Sequence, residues 1–192
     1  MKPINLLISI LLVVLRISFS LGQNVTITIE TENTATVLKT DEDNRLKIVY
    51  SGKSLSNGNE YERTGEVFKF QSQGASANNN AYAVAGINNN FTEPAIAVVH
   101  TDGNNSLDLL YDNHTVTETP NGATLTKIML KDPVYPFFVD LFYKAWKDKD
   151  VVEQWTVIRH TEDGEVVLNK YASANLYLNN KEYHLTGYNG SW

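Results

Sequence analysis

The sequence predicts an all-β protein, a large antiparallel β-sandwich, on three observations. Apolar and polar residues alternate with a period of two in segment after segment, the mark of half-buried strands. Gly, Asn, Asp and Pro clusters separate these segments at short, regular spacing. No ten-residue window carries helical periodicity together with caps. About a dozen short strands in one chain of 192 residues fit two packed sheets better than any layered α/β arrangement.

In chain order, Val25, Ile27 and Ile29 alternate with Thr26, Thr28 and Glu30, giving the first strand. Ala35 to Lys39 is the second, Asp41 to Asn44 turns it, and Arg45 to Tyr50 returns with Leu46, Ile48 and Tyr50 expected on one face. Ser51 to Asn59 reads as a loop from its Ser, Gly and Asn content, and Glu66 to Phe70 as a short pairing segment. Gln71 to Asn90 offers little to bury and reads as a long surface excursion. Ala95 to His100 is extended again and reverses at Asp102-Gly103-Asn104. Leu107 to Tyr111, His114 to Glu118 and Ala123 to Lys131 follow as three strands, the last two joined through Pro120-Asn121-Gly122.

The chain is organised around Leu130 to His160. Pro133 and Pro136 fix φ and push the residues before them toward extended geometry, so Val134 and Tyr135 form a corner that launches a strand. From Phe137 to Trp146, one face carries Phe137, Val139, Leu141, Tyr143 and Ala145 and is expected in the core. The other carries Asp140 and Lys144 beside Phe138, Phe142 and Trp146 and is expected to be half covered. Lys147 to Asp150 reverses the chain, and Val151 to Ile158 returns as the second arm, with Trp155 at its middle. Beyond a turn at Glu162-Asp163-Gly164, strands are expected at Val166 to Tyr171, Ala172 to Leu178 and Tyr183 to Thr186.

The N-terminus carries a separate signal. Lys2, the apolar run Leu6 to Leu15 and the small residues of Ser20-Leu21-Gly22 before Gln23 predict a signal peptide over 1–22, with the folded domain over 23–192. A membrane anchor is disfavoured, because the run falls short of the roughly 20 residues needed to span and Arg16 interrupts it. The expected location is periplasmic or secreted. Loss of Lys2 and Arg16 with the leader leaves a formal charge of about −8, which opposes nucleic acid or an anionic membrane as partner. Cysteine is absent, so disulfides, thiolate metal sites and a cysteine nucleophile are excluded.

Candidate chemistry is sparse. His100 and Asp102 are spaced to project to the same side of a strand, as a metal or acid–base pair would, although the Asp-Gly-Asn turn already explains Asp102 and no third ligand is placed by spacing. His114, His160 and His184 stand alone, and no Ser-His-Asp order, P-loop or HExxH is present. Asp148 with Asp150 and Glu162 with Asp163 read as solvated turn acids. Trp146, Trp155, Tyr111 and Tyr143 could stack on sugar rings, against the ordinary use of large aromatics as core. Asn-x-Ser/Thr sequons begin at Asn24, Asn90, Asn104, Asn113 and Asn189.

Four stretches in order, NRLKIVYSGKSLSNGNEY (44–61), EPAIAVVHTDGNNSLDLLY (93–111), LKDPVYPFFVDLFYKAW (130–146) and DVVEQWTVIRH (150–160), resemble the N-terminal domain of glycoside hydrolase family 36, the α-galactosidases, in the style of secreted Bacteroidetes members. The ending YHLTGYNGSW (183–192) is similar to the close of that domain. The resemblance implies a β-supersandwich like that of galactose mutarotase, followed in the family by a (β/α)₈ barrel that carries both catalytic aspartates. Trp192 falls where the barrel is expected to begin, so the chain is expected to be a fragment. A retaining glycosidase needs two carboxyl groups about 5 Å apart, and the resemblance assigns no catalytic, metal-ligating or cofactor-binding residue to this chain. It implies a barrel partner in cis or in trans, support of oligomers, a barrel-facing apolar patch, and a loop after Tyr50 to Lys53 that can reach a neighbouring subunit. The alternatives are a stand-alone module that binds galactosides or an assembly domain for a separate catalytic chain.

Overall fold

The computed structural model describes residues 25–64, 79–85 and 93–176. Expectations for the signal peptide, for Glu66 to Phe70 and for Tyr183 to Thr186 fall outside these residues. Nine strands are present among them: β1 Thr26–Glu30, β2 Thr34–Thr40, β3 Leu46–Lys53, β4 Ile96–Val99, β5 Leu110–Glu118, β6 Thr124–Lys131, β7 Phe137–Trp146, β8 Val151–His160 and β9 Val167–Tyr171. All strand pairing between them is antiparallel, in sheets ordered β1-β2-β3, β4-β9 and β5-β6-β7-β8. One apolar core joins the three. Ile27, Ile29, Leu38, Leu46 and Ile48 of the first sheet, Ile96 and Val98 of the second, and Ile128, Leu130, Val139, Leu141 and Tyr143 of the third belong to it. This is the expected β-sandwich.

The central hairpin forms as its periodicity dictates. Phe137, Val139, Leu141, Tyr143 and Ala145 are all buried, whereas Phe138, Phe142, Lys144 and Trp146 on the opposite face are half-buried. The proline corner is held by Asp132, a buried residue whose Oδ1 accepts from the N–H groups of Val134 and Tyr135 at 2.7 and 2.8 Å. Gly103 and Gly122 take positive φ at the expected turns. Asp150 takes φ 49° where β7 turns into β8.

Several expectations are corrected. Tyr50 does not share a face with Leu46 and Ile48, because Leu38 pairs with Ile48 while the adjacent Val37 pairs with Tyr50, so Val49 is an extra, bulged residue. A bulge of one residue reverses the faces beyond it. Tyr50 and Val49 therefore pack with Ala35, Val37 and Tyr61 in a second small cluster on the other side of the sheet. Ser51 to Asn59 is not wholly loop: β3 runs to Lys53, and a 3₁₀ helix spans Gly58–Arg63. Tyr61 anchors that helix, being buried and accepting from Leu55 N–H while donating to Glu30. Lys39 fastens its end by donating to the carbonyls of Glu62 and Thr64 at 2.8 and 2.7 Å.

The excursion from Gln71 to Asn90 hides a core segment. Ala81, Tyr82 and Ala83 are buried, and Tyr82 Oη donates to Ala172 O at 2.7 Å. Two alanines carry too little hydropathy to announce burial, yet their size is what close packing against the sheets requires. Leu107 to Tyr111 and His114 to Glu118 are not two strands; Leu110–Glu118 is one strand bulged at Asp112. Residues 172–176 form no strand.

Tyr143 supplies a direct test of the core. Its hydroxyl is buried without a hydrogen-bond partner among the described residues, and burial pushes its ionisation far up. Removing an unsatisfied buried hydroxyl relieves a desolvation cost. Tyr143→Phe is therefore expected to leave stability unchanged or raise it by about 1 kcal/mol, read as a shift of the urea midpoint. A loss of more than that would show that the hydroxyl has a partner.

Candidate functional site

Two surfaces collect the candidate side chains: the corner around His100 and the outer face of the β5-β6-β7-β8 sheet. At the corner, β4 ends at Val99 and delivers His100 into the interior, its side chain fully buried. The ring stacks on Tyr135 with centroids 3.6 Å apart and 6° between planes, and meets Phe137 edge-on at 5.8 Å. Nδ1 lies 2.8 Å from Glu162 Oε1, and Nε2 lies 3.1 Å from Ser106 O. Glu162 Oε2 also accepts from Thr101 N–H at 3.1 Å. Burial pushes the Glu162 carboxyl up, but the bonds from His100 and Thr101 outweigh it and hold the group below the usual glutamate value.

Asp102 does not join His100. It is exposed and accepts from Asn104 N–H at 2.9 Å and Tyr135 Oη at 2.8 Å. The metal or acid–base pair that the spacing allowed does not form, because both nitrogens of His100 already face other acceptors and Asp102 serves the Asp-Gly-Asn turn. Among the described residues no group of three or more His, Asp or Glu side chains is placed to hold a metal ion. Glu162, expected to be a solvated turn acid, is instead the buried partner of His100, its side chain 5% exposed. Nothing local announces this, since the two lie 62 positions apart. Gly164 completes the corner: a Cβ there would lie 2.6 Å from the Thr101 side-chain methyl, so any larger residue would require Thr101 to move.

The outer face of the four-stranded sheet is a ladder of aromatic rings and charges. Phe142 and Trp155 are cross-strand partners and stack with centroids 5.0 Å apart and 3° between planes. Trp146 has Lys144 and Lys149 ammonium groups 4.3 and 4.4 Å from its ring centre and donates Nε1–H to Glu153 at 2.5 Å. Asp140 is buried, takes an ion pair from Lys127 at 3.0 Å, and accepts both oxygens' bonds from one Arg159 nitrogen at 3.0 and 2.9 Å. Lys131 and Arg159 lie over Phe138.

Of the four aromatic residues weighed as sugar platforms, Tyr143 lies in the core as its strand face predicts and is 5% exposed. Tyr111 packs against the core edge and hydrogen-bonds His114 Nδ1 at 2.7 Å. Trp146 and Trp155 do lie on the outer face, engaged by the lysines and by Phe142. His160 is exposed at the end of β8, and His184 lies outside the described residues. Asn104 and Asn113 are exposed, and the other three sequons lie outside.

Asp150, expected to be a solvated turn acid, ties two distant turns. Oδ1 accepts from Thr31 Oγ1 and Asn33 N–H, each at 2.8 Å, and Oδ2 from Asn33 Nδ2 at 2.5 Å. The Asn33 and Thr31 donors hold its carboxyl below the usual aspartate value, as those from Asn104 and Tyr135 do for Asp102. A carboxyl whose folded pKa is depressed contributes stability above its unfolded pKa and loses it as pH falls through the folded value. Urea midpoints are therefore expected to fall from pH 5 toward pH 3, and Asp150→Asn is expected to flatten that slope. An unchanged slope in the variant would remove Asp150 from the account.

The geometry defines a class: an antiparallel β-sandwich whose described acids are engaged mainly in structural bonds. The family model for the glycosyl hydrolase family 36 N-terminal domain matches residues 44–192, and the chain belongs to that family. Among solved structures, the α-galactosidase from Lactobacillus brevis shares 18% identity with TM-score 0.64, over 80% of this chain and 24% of that one. The family 36 α-galactosidase AgaA from Geobacillus stearothermophilus gives 18% and 0.62 over 78% and 24%. The galactosidase domain of the α-galactosidase–sucrose kinase AgaSK gives 20% and 0.64 over 78% and 24%. At such identities these structures share the fold. The chain spans about a quarter of their length. No curated protein sequence matches it.

Proposed function

We propose that this chain is the non-catalytic N-terminal module of an α-galactosidase acting on α-linked galactosides, supporting the packing and assembly of a (β/α)₈ catalytic barrel in cis or in trans. The observation that carries this reading is the family match over 44–192 in a chain about one quarter as long as the α-galactosidases that share its fold. The acids add support. Asp140 is held by Lys127 and Arg159, Asp108 by Arg45, Glu162 by His100, and Asp150 by Thr31 and Asn33. A double displacement needs a free nucleophile and a proton donor facing one another across the scissile bond, and these groups are each committed to holding the fold. We place the module outside the cytoplasm, periplasmic or secreted, on the strength of the leader-like residues 1–22.

The test is hydrolysis of an aryl α-galactoside by the chain alone, by a separately expressed family 36 barrel, and by the mixture. The chain alone is expected to release no galactose above a blank, and the mixture to exceed the barrel alone. Turnover by the chain alone would overturn the non-catalytic reading, and a mixture no better than the barrel would overturn the assembly role. Mass spectrometry of exported material checks the location: a mature N-terminus at Gln23 is expected.

A further inference from the structure

The buried ring of His100 has an acceptor opposite each of its nitrogens. Nδ1 lies 2.8 Å from Glu162 Oε1 and Nε2 lies 3.1 Å from Ser106 O, both within the range of an N–H···O bond. A carbonyl oxygen cannot donate, and a neutral imidazole has only one N–H. Loss of either ring proton would turn a lone pair toward an oxygen, on a side chain shut off from solvent. We propose that His100 is held as an imidazolium, with a proton on each ring nitrogen, and that this buried cation is a clasp that loosens as pH rises.

The surroundings favour the charged ring over a neutral pair with the proton on the acid. Burial pushes the Glu162 carboxyl up, but the bonds from His100 and Thr101 hold it below the usual glutamate value, so it is the ionised partner. Its Oε2 accepts from Thr101 N–H, which leaves Oε1 to His100. The 2.8 Å contact to Nδ1 is the length of a charge-assisted bond. Tyr135 lies flat on the imidazole, 3.6 Å between centroids and 6° between planes, and presents the negative face of its ring to the cation. The Tyr135 hydroxyl donates to Asp102 Oδ2, which brings a second acid to the corner. Phe137, the third ring, meets His100 edge-on and carries no charge. Asp132, at the proline bend, is turned to the N–H groups of Asp108, Val134 and Tyr135. Among the described residues no lysine or arginine forms an ion pair with Glu162 or Asp102, and His100 supplies the positive charge.

Three turns meet at this cation: the Asp102 turn after β4, the proline bend before β7 and the β8–β9 turn. A proton that the folded chain holds and the unfolded chain gives up makes stability fall as pH rises. An imidazole free in water releases its proton at about pH 6.5, so the loss is expected above that pH, opposite in direction to the loss of the carboxyl bonds in acid. Nitrogen NMR of the isotope-labelled full chain reads the charge directly, with signals assigned by replacing His114, His160 and His184 in turn by glutamine. At about pH 7 both ring nitrogens of His100 are expected to carry a slowly exchanging proton, where a free imidazole is mostly neutral. An unprotonated ring nitrogen on His100 at that pH would overturn the proposal. Glu162→Gln, which keeps an oxygen for Nδ1 and removes the negative charge, is expected to leave one ring proton. Urea unfolding gives the second reading. Between about pH 6.5 and 8 the unfolding equilibrium constant of the unmodified chain is expected to rise more steeply than that of Glu162→Gln, by up to about tenfold per pH unit. Equal slopes would also overturn the clasp. Should Glu162→Gln fail to fold, the spectrum of the unmodified chain decides alone.

Discussion

Truncating His100 to alanine is expected to cost about 3–5 kcal/mol of stability. The ring is fully buried, fills the space between Tyr135 and Phe137, and supplies the partner of the Glu162 carboxylate. Its removal leaves a cavity and a buried acid without its counterpart, two costs that add. Urea unfolding followed by tyrosine and tryptophan fluorescence measures the loss. Glu162→Gln is expected to cost less, because the amide oxygen still meets Nδ1 while the ring stays packed. The corner ties together the Asp102 turn, the proline bend and the β8–β9 turn, so exchange of the amides near Thr101 and Gly164 is expected to quicken in His100→Ala. A cost below about 1 kcal/mol, the net worth of one ordinary hydrogen bond, would show that the corner is incidental to stability.

Leu141→Ala is expected to cost about 2–5 kcal/mol. Leu141 is fully buried at the middle of β7 on the face turned to the core, where the sandwich closes on Ile27, Leu38 and Ile48. Val157→Ala provides the contrast on the same hairpin. Val157 lies on β8 beside Asp140 on the outer face and is 38% exposed, and its truncation is expected to stay within about 0.5 kcal/mol. Thermal unfolding of both variants reads the difference. Equal costs would mean that the outer face is as tightly covered as the core, and would point to a partner seated on it.

The features legible in the sequence are local. Alternation in Phe137 to Trp146 assigned both faces of β7, the proline pair located the corner before it, and Asp-Gly-Asn and Pro-Asn-Gly located two turns. These features depend on the side-chain period of two and on the φ preferences of Pro and Gly, which each residue carries wherever it sits. The resemblance of the four quoted stretches likewise reached the family that the match over 44–192 shows.

Features that depend on which segments meet emerge only in the folded chain. Val49 is bulged only because β2 and β3 pair in a register that has no place for it, and Tyr50 changes face as a result. Ala81 to Ala83 are core only because two sheets close over them. Glu162 and Asp150 look like solvated acids until turns 62 and 117 or more positions away supply their donors. Periodicity records which way a side chain points, whereas burial and pairing depend on what the chain brings opposite it, and that is settled only when the sheets pack.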